Sequence, residues 1–203
     1  MSDFSLFLQL GYQHITDVKG YDHILFVIAL CAVYRISDWK KVAVLVTAFT
    51  IGHSITLALA TLQLITYRTD VIEFLIPITI VLTCILNFFH KSTDIRTAKE
   101  ASSKLRYPMA MLFGLIHGMG FSNYLRSLLG KEESLWKPLL AFNLGLEVGQ
   151  LLIVLIALMV SFIVLEIFKA KKHDWTLILS GVVAGISLTL IVNADYFAEL
   201  TGQ

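Results

Sequence analysis

The 203 residues of this chain are 57% hydrophobic and only 15% charged, whereas about a quarter of the residues in a soluble globular domain are charged. The formal net charge of +1 gives no indication of a nucleic-acid partner or an acidic partner. The composition therefore excludes an ordinary soluble domain and indicates a membrane protein whose surroundings are the lipid bilayer.

Apolar segments that can cross a hydrocarbon core of about 30 Å recur along the whole sequence. We predict an all-α, polytopic protein with a bundle of about six transmembrane helices, preceded by a short N-terminal interfacial helix. No stretch has the composition of an interdomain linker, so residues 1–203 are expected to form a single transmembrane domain. The predicted spans are about 20–34, 42–62, 71–90, 107–128, 138–168 and 175–195.

Basic residues are distributed unevenly between the alternate loops of this topology. Five lie on one side: Lys19, Arg68, Arg126, Lys131 and Lys137. Eleven lie on the other: Arg35, Lys40, Lys41, Lys91, Arg96, Lys99, Lys104, Arg106, Lys169, Lys171 and Lys172. The positive-inside rule makes the second side cytoplasmic and places both termini outside the cytoplasm. We expect a multi-pass protein of the plasma membrane, which in a bacterium is the inner membrane.

Three histidines are predicted to lie at one depth in the membrane. His23, His53 and His117 are each eleven or twelve residues from the basic residue that marks the inner end of their span, which is about 16–18 Å of helix. The first span is too short to cross, so Asp22 is expected below the outer surface beside His23. An ionisable group at mid-membrane costs at least a few kcal/mol and is expected to face the bundle interior. Together these residues indicate a buried polar or metal site.

The fifth span adds polar residues on one helical face. Asn143, Glu147 and Gln150 are spaced i, i+4, i+7, and Glu147 lies roughly 15 Å below the outer edge, which reaches the histidine layer. Ser54 follows His53, and Glu73 is placed on the route into the site. The remaining histidines are expected to be solvated in loops or at boundaries: His14, His90 and His173.

Glycines spaced four residues apart flank two of these candidate residues. Gly114 and Gly118 surround His117, and the same small-xxx-small spacing recurs around Glu147. The segments "FTIGHS" and "FGLIHG" also both place a Phe one turn before a His. These patterns predict close helix contacts beside the site.

Imidazoles combined with carboxylates suit Zn²⁺, Ni²⁺, Co²⁺ or Fe²⁺, and the sequence does not rank these ions. The same residues are compatible with metal transport or with an intramembrane metal-dependent hydrolase, in which Asp22 or Glu147 acts as general base towards a metal-bound water. A proton-coupled carrier or structural subunit without metal is a third hypothesis. The sequence also leaves a homo-oligomer open.

Four ordered segments, "GYDHILFVIAL", "FTIGHSITLALA", "FGLIHGMGFS" and "FNLGLEVGQ", resemble the HupE/UreJ membrane proteins, which are regarded as nickel or cobalt permeases. The first helix of that family carries the motif His-Pro-x-x-Gly-x-Asp-His. Gly20, Asp22 and His23 match it, whereas the position of the leading histidine is Thr16, with His14 two residues earlier.

The fourth span is similar to the permease pattern His-Gly-x-Ala-His-Gly-x-Glu. Gly114, His117 and Gly118 match, but Phe113 replaces the first histidine and Gly120 replaces the glutamate. The chain therefore resembles a divergent branch of the family in which other segments supply polar groups.

We accordingly expect a transporter for a nickel-like divalent ion, with the metal-dependent hydrolase as the alternative. The expected ligands are His23, His53 and His117, and Asp22 and Glu147 are expected to be acidic ligands or partners that fix the imidazole tautomers. Residues expected on the pathway or around the ligands are Ser54, Glu73, Asn143 and Gln150.

Overall fold

The computed structural model describes residues 3–89, 96–129 and 135–202, and within these residues all regular secondary structure is helical. This confirms the all-α prediction. A single 3₁₀ turn, Ile36–Asp38, leads into the third helix, and a π-helical turn, Ile163–Ile167, extends the seventh. The helices are α1 (Asp3–Thr16), α2 (Asp22–Cys31), α3 (Trp39–Thr61), α4 (Thr69–Phe88), α5 (Arg96–Gly120), α6 (Ser122–Leu129), α7 (Trp136–Phe162), α8 (Lys172–Val192) and α9 (Asp195–Thr201).

Four segments in the described part of the chain are long and apolar enough to cross a membrane: Ile36–Thr61, Thr69–Phe88, Trp136–Ile167 and Lys172–Val192. They correspond to the second, third, fifth and sixth predicted spans. The chain is therefore a membrane protein. His90, the last residue of the third predicted span, lies outside the described residues.

The first and fourth predicted spans are not confirmed as single membrane-crossing helices. Helix α2 has 10 residues, which is only about 15 Å of helix. The fourth predicted span, 107–128, is divided at Phe121 between α5 and α6. The division follows Gly118 and Gly120, and glycine is a poor helix former.

Helix α1, expected only as an interfacial helix, packs its glycine-bearing face directly on α7. A Cβ atom on Gly11 would collide with the backbone carbonyl of Phe142, and one on Gly145 would collide with the carbonyl of Leu8. A Cβ atom on Gly149 would meet the side chain of Ile15. The backbones of the two helices can be this close only because these positions lack side chains.

Helices α3 and α5 repeat the same arrangement. A Cβ atom on Gly52 would collide with the carbonyl of Met111, and Cβ atoms on Gly114 and Gly118 would collide with the carbonyls of Phe49 and His53. Each contact is thus formed by three glycines: one on α1 and two on α7 in the first pair, and one on α3 and two on α5 in the second. The predicted small-xxx-small contacts are confirmed in both pairs, and the second pair positions His53 against the helix that carries His117.

Polar side chains anchor the C-terminal end of α2 to its neighbours. Asn87 of α4 donates to the carbonyl of Ala29 at 2.8 Å and to the hydroxyl of Ser180 at 3.1 Å. The buried guanidinium of Arg106 donates to the Asn87 side-chain oxygen at 3.0 Å. Thr176 of α8 donates to a carbonyl at the end of α2 at 2.9 Å. These bonds hold a helix that is too short to cross the bilayer alone.

At the opposite end of the bundle, α9 is tied to the start of α4. Arg68 Nη2 lies 2.5 Å from both Asp70 Oδ2 and Glu199 Oε2, and the guanidinium is 5.4 Å from the centre of the Tyr196 ring. Hydrogen bonding to Asp70 and then to Glu199 raises the pKa of Arg68. Because Arg68 and Glu199 are more than half exposed and Asp70 is 30% exposed, this cluster orders the surface rather than stabilising the core.

Candidate metal centre

Three histidines from different helices meet at one point of the bundle. His14, His23 and His53 each offer one ring nitrogen, and these three atoms all lie within 4.8 Å of one another. His14 is in the last turn of α1 and His23 in the first turn of α2, so the break between these short helices brings their rings to 4.7 Å. His53 lies in the middle of α3 and is fully buried. Imidazole nitrogens at this spacing can bind one divalent transition metal ion.

The Asp22 carboxylate orients the ring of His23. Asp22 Oδ1 accepts the backbone N–H of His23 at 2.9 Å and lies 3.0 Å from its Nδ1. The tautomer that donates from Nδ1 to this carboxylate leaves the lone pair on Nε2. A carboxylate behind an imidazole is the arrangement that fixes the tautomer of metal-binding histidines.

His117 has the same tautomer for a different reason. Its Nδ1 is 2.8 Å from the carbonyl oxygen of Phe113, and a carbonyl only accepts, so Nδ1 donates and Nε2 keeps its lone pair. The ring is 1% exposed, and its centre is 5.1 Å from that of His23. His117 therefore lies beside the group of three, with its free nitrogen available to a ligand.

The imidazoles of this centre have buried nitrogen atoms without a hydrogen-bond partner. These atoms are Nε2 of His14, His23 and His117, and both ring nitrogens of His53. Leaving a buried polar atom without a partner costs about 1–3 kcal/mol, and such atoms are rare in native structures. Four imidazoles with this property in one place form a cluster that could bind a cation through their lone pairs.

A layer of phenylalanines covers one side of the centre. Helices α2 and α3 run in opposite directions, so Phe26, which follows His23, and Phe49, which precedes His53, lie on the same side of the histidines. Phe113 of α5 completes the layer, and the Phe26 ring is 4.8 Å from that of Phe49 and 6.1 Å from that of Phe113. All three residues are at most 5% exposed, so the layer is apolar and shielded from solvent.

The other side of the centre opens into a cavity of about 210 Å³, whose lining includes His23, His117, Asp22 and Glu73. Asp22 and Glu73 also line a neighbouring cavity of about 310 Å³, together with Asn193 at the end of α8. Glu73 thus lines both cavities, and its assignment to the route into the centre stays a prediction. Four carboxylates line the two cavities and would attract cations: Asp17, Asp22, Glu73 and Asp195.

The chain from residue 1 to residue 199 matches the family model described as HupE / UreJ protein. It belongs to the HupE/UreJ family. No curated protein and no solved structure matches the chain. The family match spans both the histidine centre and the helices around it, so the resemblance of the four sequence segments is confirmed over nearly the whole chain.

In this HupE/UreJ protein the structure brings together most of the predicted site but not Glu147. Glu147 Oε1 lies 2.5 Å from Thr47 Oγ1, and Gln150 Oε1 lies 2.7 Å from Thr50 Oγ1. Thr47 is six residues, or about 9 Å of helix, from His53. Glu147 therefore contacts α3 at a different level from His53 and is not part of the histidine centre.

Two further predicted residues bind to their own helices. The hydroxyl of Ser54 donates to the Thr50 carbonyl at 2.6 Å, so it does not serve as a partner for His53 in this structure. The amide nitrogen of Asn143 donates to the Leu139 carbonyl at 2.8 Å, while its buried oxygen has no hydrogen-bond partner. Their assignment to a pathway stays a prediction.

His14 belongs to the histidine centre of this HupE/UreJ protein, although the sequence analysis predicted a solvated residue at a boundary. That prediction was wrong. The ring of His14 contacts His23 and is 4.0 Å, centre to centre, from the ring of Phe121. The cause is the packing of α1 on α7, which inserts the last turn of α1 into the bundle. Gly11 one turn before His14 was the available signal, since small residues mark helix contacts in membranes.

Proposed function

We propose that this HupE/UreJ protein transports a divalent transition metal ion across the membrane, with Ni²⁺ as the first candidate substrate. The observation that carries the proposal is the group of His14, His23 and His53, whose ligand atoms lie within 4.8 Å of one another inside a membrane protein. The family suggests nickel or cobalt transport. Imidazole nitrogens bind Ni²⁺, Co²⁺, Zn²⁺ and Fe²⁺, so the donor set agrees with this class of substrate.

Each residue of the centre has a role in this proposal. His14, His23 and His53 bind the ion, and His117 contributes its Nε2 as the ion arrives or leaves. Asp22 keeps Nδ1 of His23 protonated, so that Nε2 faces the ion. In the family motif, a histidine occupies the position of Thr16. In this chain His14, two residues earlier, supplies that imidazole.

The cavities and the phenylalanine layer give the transport a direction. The ion enters past Glu73 from the side on which α8 ends, and the layer of Phe26, Phe49 and Phe113 closes the opposite side. The distribution of basic residues makes the entrance extracytoplasmic, so we infer inward transport by a single transmembrane domain of the plasma membrane. The layer has to open while the entrance closes, as in other carriers that expose one site to each side in turn.

The test is Ni²⁺ entry into vesicles that contain the purified protein and a metal-sensitive dye. The wild-type protein should carry Ni²⁺, and His53→Ala should reduce the initial rate at least tenfold because it removes a ligand. His173→Ala is the matched control, since His173 is an exposed residue at the start of α8. Its rate should equal that of the wild type.

Calorimetric titration separates transport from metal-dependent hydrolysis. A transporter should bind Ni²⁺ reversibly and release it into the vesicle. Tightly retained, stoichiometric metal without flux would contradict the transporter and favour an intramembrane hydrolase that uses the same histidines. Absence of metal binding would contradict both.

A further inference from the structure

A groove separates α7 from α8, and α2 forms its floor. The two consecutive helices diverge after the turn that joins them, because α8 packs mainly on α4 and α2 whereas α7 packs on α1, α3 and α2. The space between them is a cavity of about 400 Å³ with an almost entirely apolar lining. Its walls are Leu152, Ile156 and Val160 of α7 and Trp175 and Leu179 of α8, and its floor is Ile24 and Ile28 of α2.

This groove opens towards the bilayer. Leu152, Ile156 and Val160 are spaced four residues apart, so they form one edge about 12 Å long. They are between 38% and 55% exposed, and they belong to a segment that can cross the membrane. A groove of this kind loses dispersion contacts when it is empty. An apolar chain that fills it is therefore favoured.

The end of the groove near the start of α8 is closed by a tryptophan. Trp175 lies one turn after the start of α8, and its Nε1 donates to the buried hydroxyl of Ser161 at 3.0 Å. This bond holds the indole across the gap between the two helices. Tryptophan is enriched where the membrane meets water. This end of the groove therefore lies near the level of the lipid headgroups.

Basic residues lie directly beyond Trp175. Lys171 and Lys172 precede it by four and three residues, which is about one helical turn, and Lys169 is two residues before Lys171. In the part of the chain that the structure describes, neither Lys169 nor Lys171 forms an ion pair. Both are exposed, so their ammonium groups are accessible at the end of the groove.

The acidic residues around these lysines do not cancel their charge. Glu166 pairs with Arg35 at 3.5 Å and Asp38 pairs with Lys41 at 2.7 Å, so each already has a basic partner. Asp174 then remains as one negative charge beside three lysines. This end of the groove is positively charged, and it complements the phosphate of an anionic lipid.

We propose that the groove binds one anionic phospholipid, with an acyl chain between α7 and α8 and its phosphate at Lys169 and Lys171. The continuity of an apolar groove with a basic end identifies this partner, since basic residues beside membrane helices bind anionic headgroups. By the predicted topology, the lipid belongs to the cytoplasmic leaflet. Its chain lies on the floor formed by α2, so it supports the short helix that carries His23. This binding site goes beyond the proposed transport function and does not depend on it.

The first experiment compares two lipids with identical acyl chains in native mass spectrometry of the purified full-length protein. The wild type should retain phosphatidylglycerol, which is anionic, in preference to phosphatidylcholine, which has no net charge. Lys171→Gln should weaken the binding of phosphatidylglycerol about fivefold, the effect of one basic residue near an anionic headgroup. Lys137→Gln is the matched control, because Lys137 is exposed at the opposite end of α7. It should bind both lipids as the wild type does.

The second experiment blocks the groove instead of its charged end. Ile156→Trp places an indole in the groove and should lose the bound phosphatidylglycerol. Leu155→Trp is the matched control, because Leu155 is 57% exposed and Ile156 55%, and Leu155 lies outside the groove lining. Added phosphatidylglycerol should raise the thermal unfolding temperature of the wild type and of Leu155→Trp, but not that of Ile156→Trp. Unfolding without added lipid shows that each variant is folded.

Three outcomes would overturn the inference, and none of them bears on Ni²⁺ transport. Equal retention of the two lipids by the wild type, or wild-type affinity in Lys171→Gln, would remove the phosphate from the lysines. Equal retention of phosphatidylglycerol by Ile156→Trp and Leu155→Trp would remove the acyl chain from the groove. A lipid-free species with the mass of two chains, lost only in Ile156→Trp, would show that a second copy of the chain fills the groove instead.

Discussion

Asp22 Oδ1 lies 3.0 Å from the Nδ1 atom of His23 and at the same time accepts the backbone N–H of His23 at 2.9 Å. One carboxylate oxygen thus holds both the ring and the backbone of the next residue. Asp22 is also the first residue of α2, where the helix dipole favours a negative charge. The position of the ring of His23 is therefore determined by the first turn of its own helix, independently of the other histidines.

Replacing Asp22 should weaken metal binding without removing a ligand. In Asp22→Asn the ring of His23 loses its charged partner, and the loss of such a partner typically costs 10- to 100-fold in metal affinity. Titration calorimetry with Ni²⁺ measures this change. Asp174→Asn provides the control, because Asp174 is exposed near the start of α8 and lines neither cavity. Equal affinities in the two variants would contradict the orienting role of Asp22.

His14→Ala should reduce Ni²⁺ affinity at least tenfold, because it removes one of three nitrogen donors that lie within 4.8 Å of one another. The His14 side chain makes no hydrogen bond in the described structure, but its ring packs on those of His23 and Phe121, so a modest fall in the thermal unfolding temperature is expected. His173→Ala is a control of identical chemistry on an exposed site. Unchanged affinity in His14→Ala would restrict the centre to the histidines of α2, α3 and α5.

Gly114→Ala should destabilise the protein because its Cβ atom would collide with the carbonyl of Phe49 and the backbone nitrogen of His53. Overpacking of this kind costs about 1–3 kcal/mol, and here the colliding atoms belong to backbone that cannot move aside. Gly185→Ala is the control, since in the described structure no atom lies within 4 Å of the position that its methyl group would take. That variant should be unchanged or more stable by up to about 1 kcal/mol, because alanine is the better helix former. Thermal unfolding of both purified variants tests the difference.

The common depth of His23, His53 and His117 could be predicted from the sequence because helical rise converts residue counts into distance along the membrane normal. The residue count does not say which way a side chain points around its helix axis, or which helices are neighbours. Glu147 shows this limit, since the count places it in the histidine layer but it contacts Thr47, six residues before His53, instead of the histidines. Depth alone therefore identifies which residues can meet, and packing decides which of them do.

Helix α1 could not be predicted as part of the bundle, because its 14 residues are too short to cross and include polar side chains. Its position depends on the contact of Gly11 with Phe142 of α7, which lies 131 residues later in the sequence. The three glycines of this contact and those of α3 and α5 are visible in the sequence. Which glycine meets which helix is determined only when the helices are assembled.

The orientation of the protein gives the last prediction. Helix α8 begins at Lys172, just after Lys169 and Lys171, and its 21 residues carry the chain across to Asn193, beside the entrance cavity. Since basic residues are retained in the cytoplasm, the C-terminus and the entrance should both be outside. A reporter enzyme that works only after export, fused after Gln203, should be active, and one that works only in the cytoplasm should be inactive.

The same reporter fusions also test whether the basic residues determine this orientation. Replacing Lys169, Lys171 and Lys172 together by glutamine removes three of the eleven basic residues on the inner side and should lower the activity of the exported reporter. Cytoplasmic activity of the unmodified fusion would reverse the molecule in the membrane. Glu73 and Asp22 would then face the cytoplasm, and the phenylalanine layer would close the outer side, so the same centre would be placed to export the metal ion rather than to take it up.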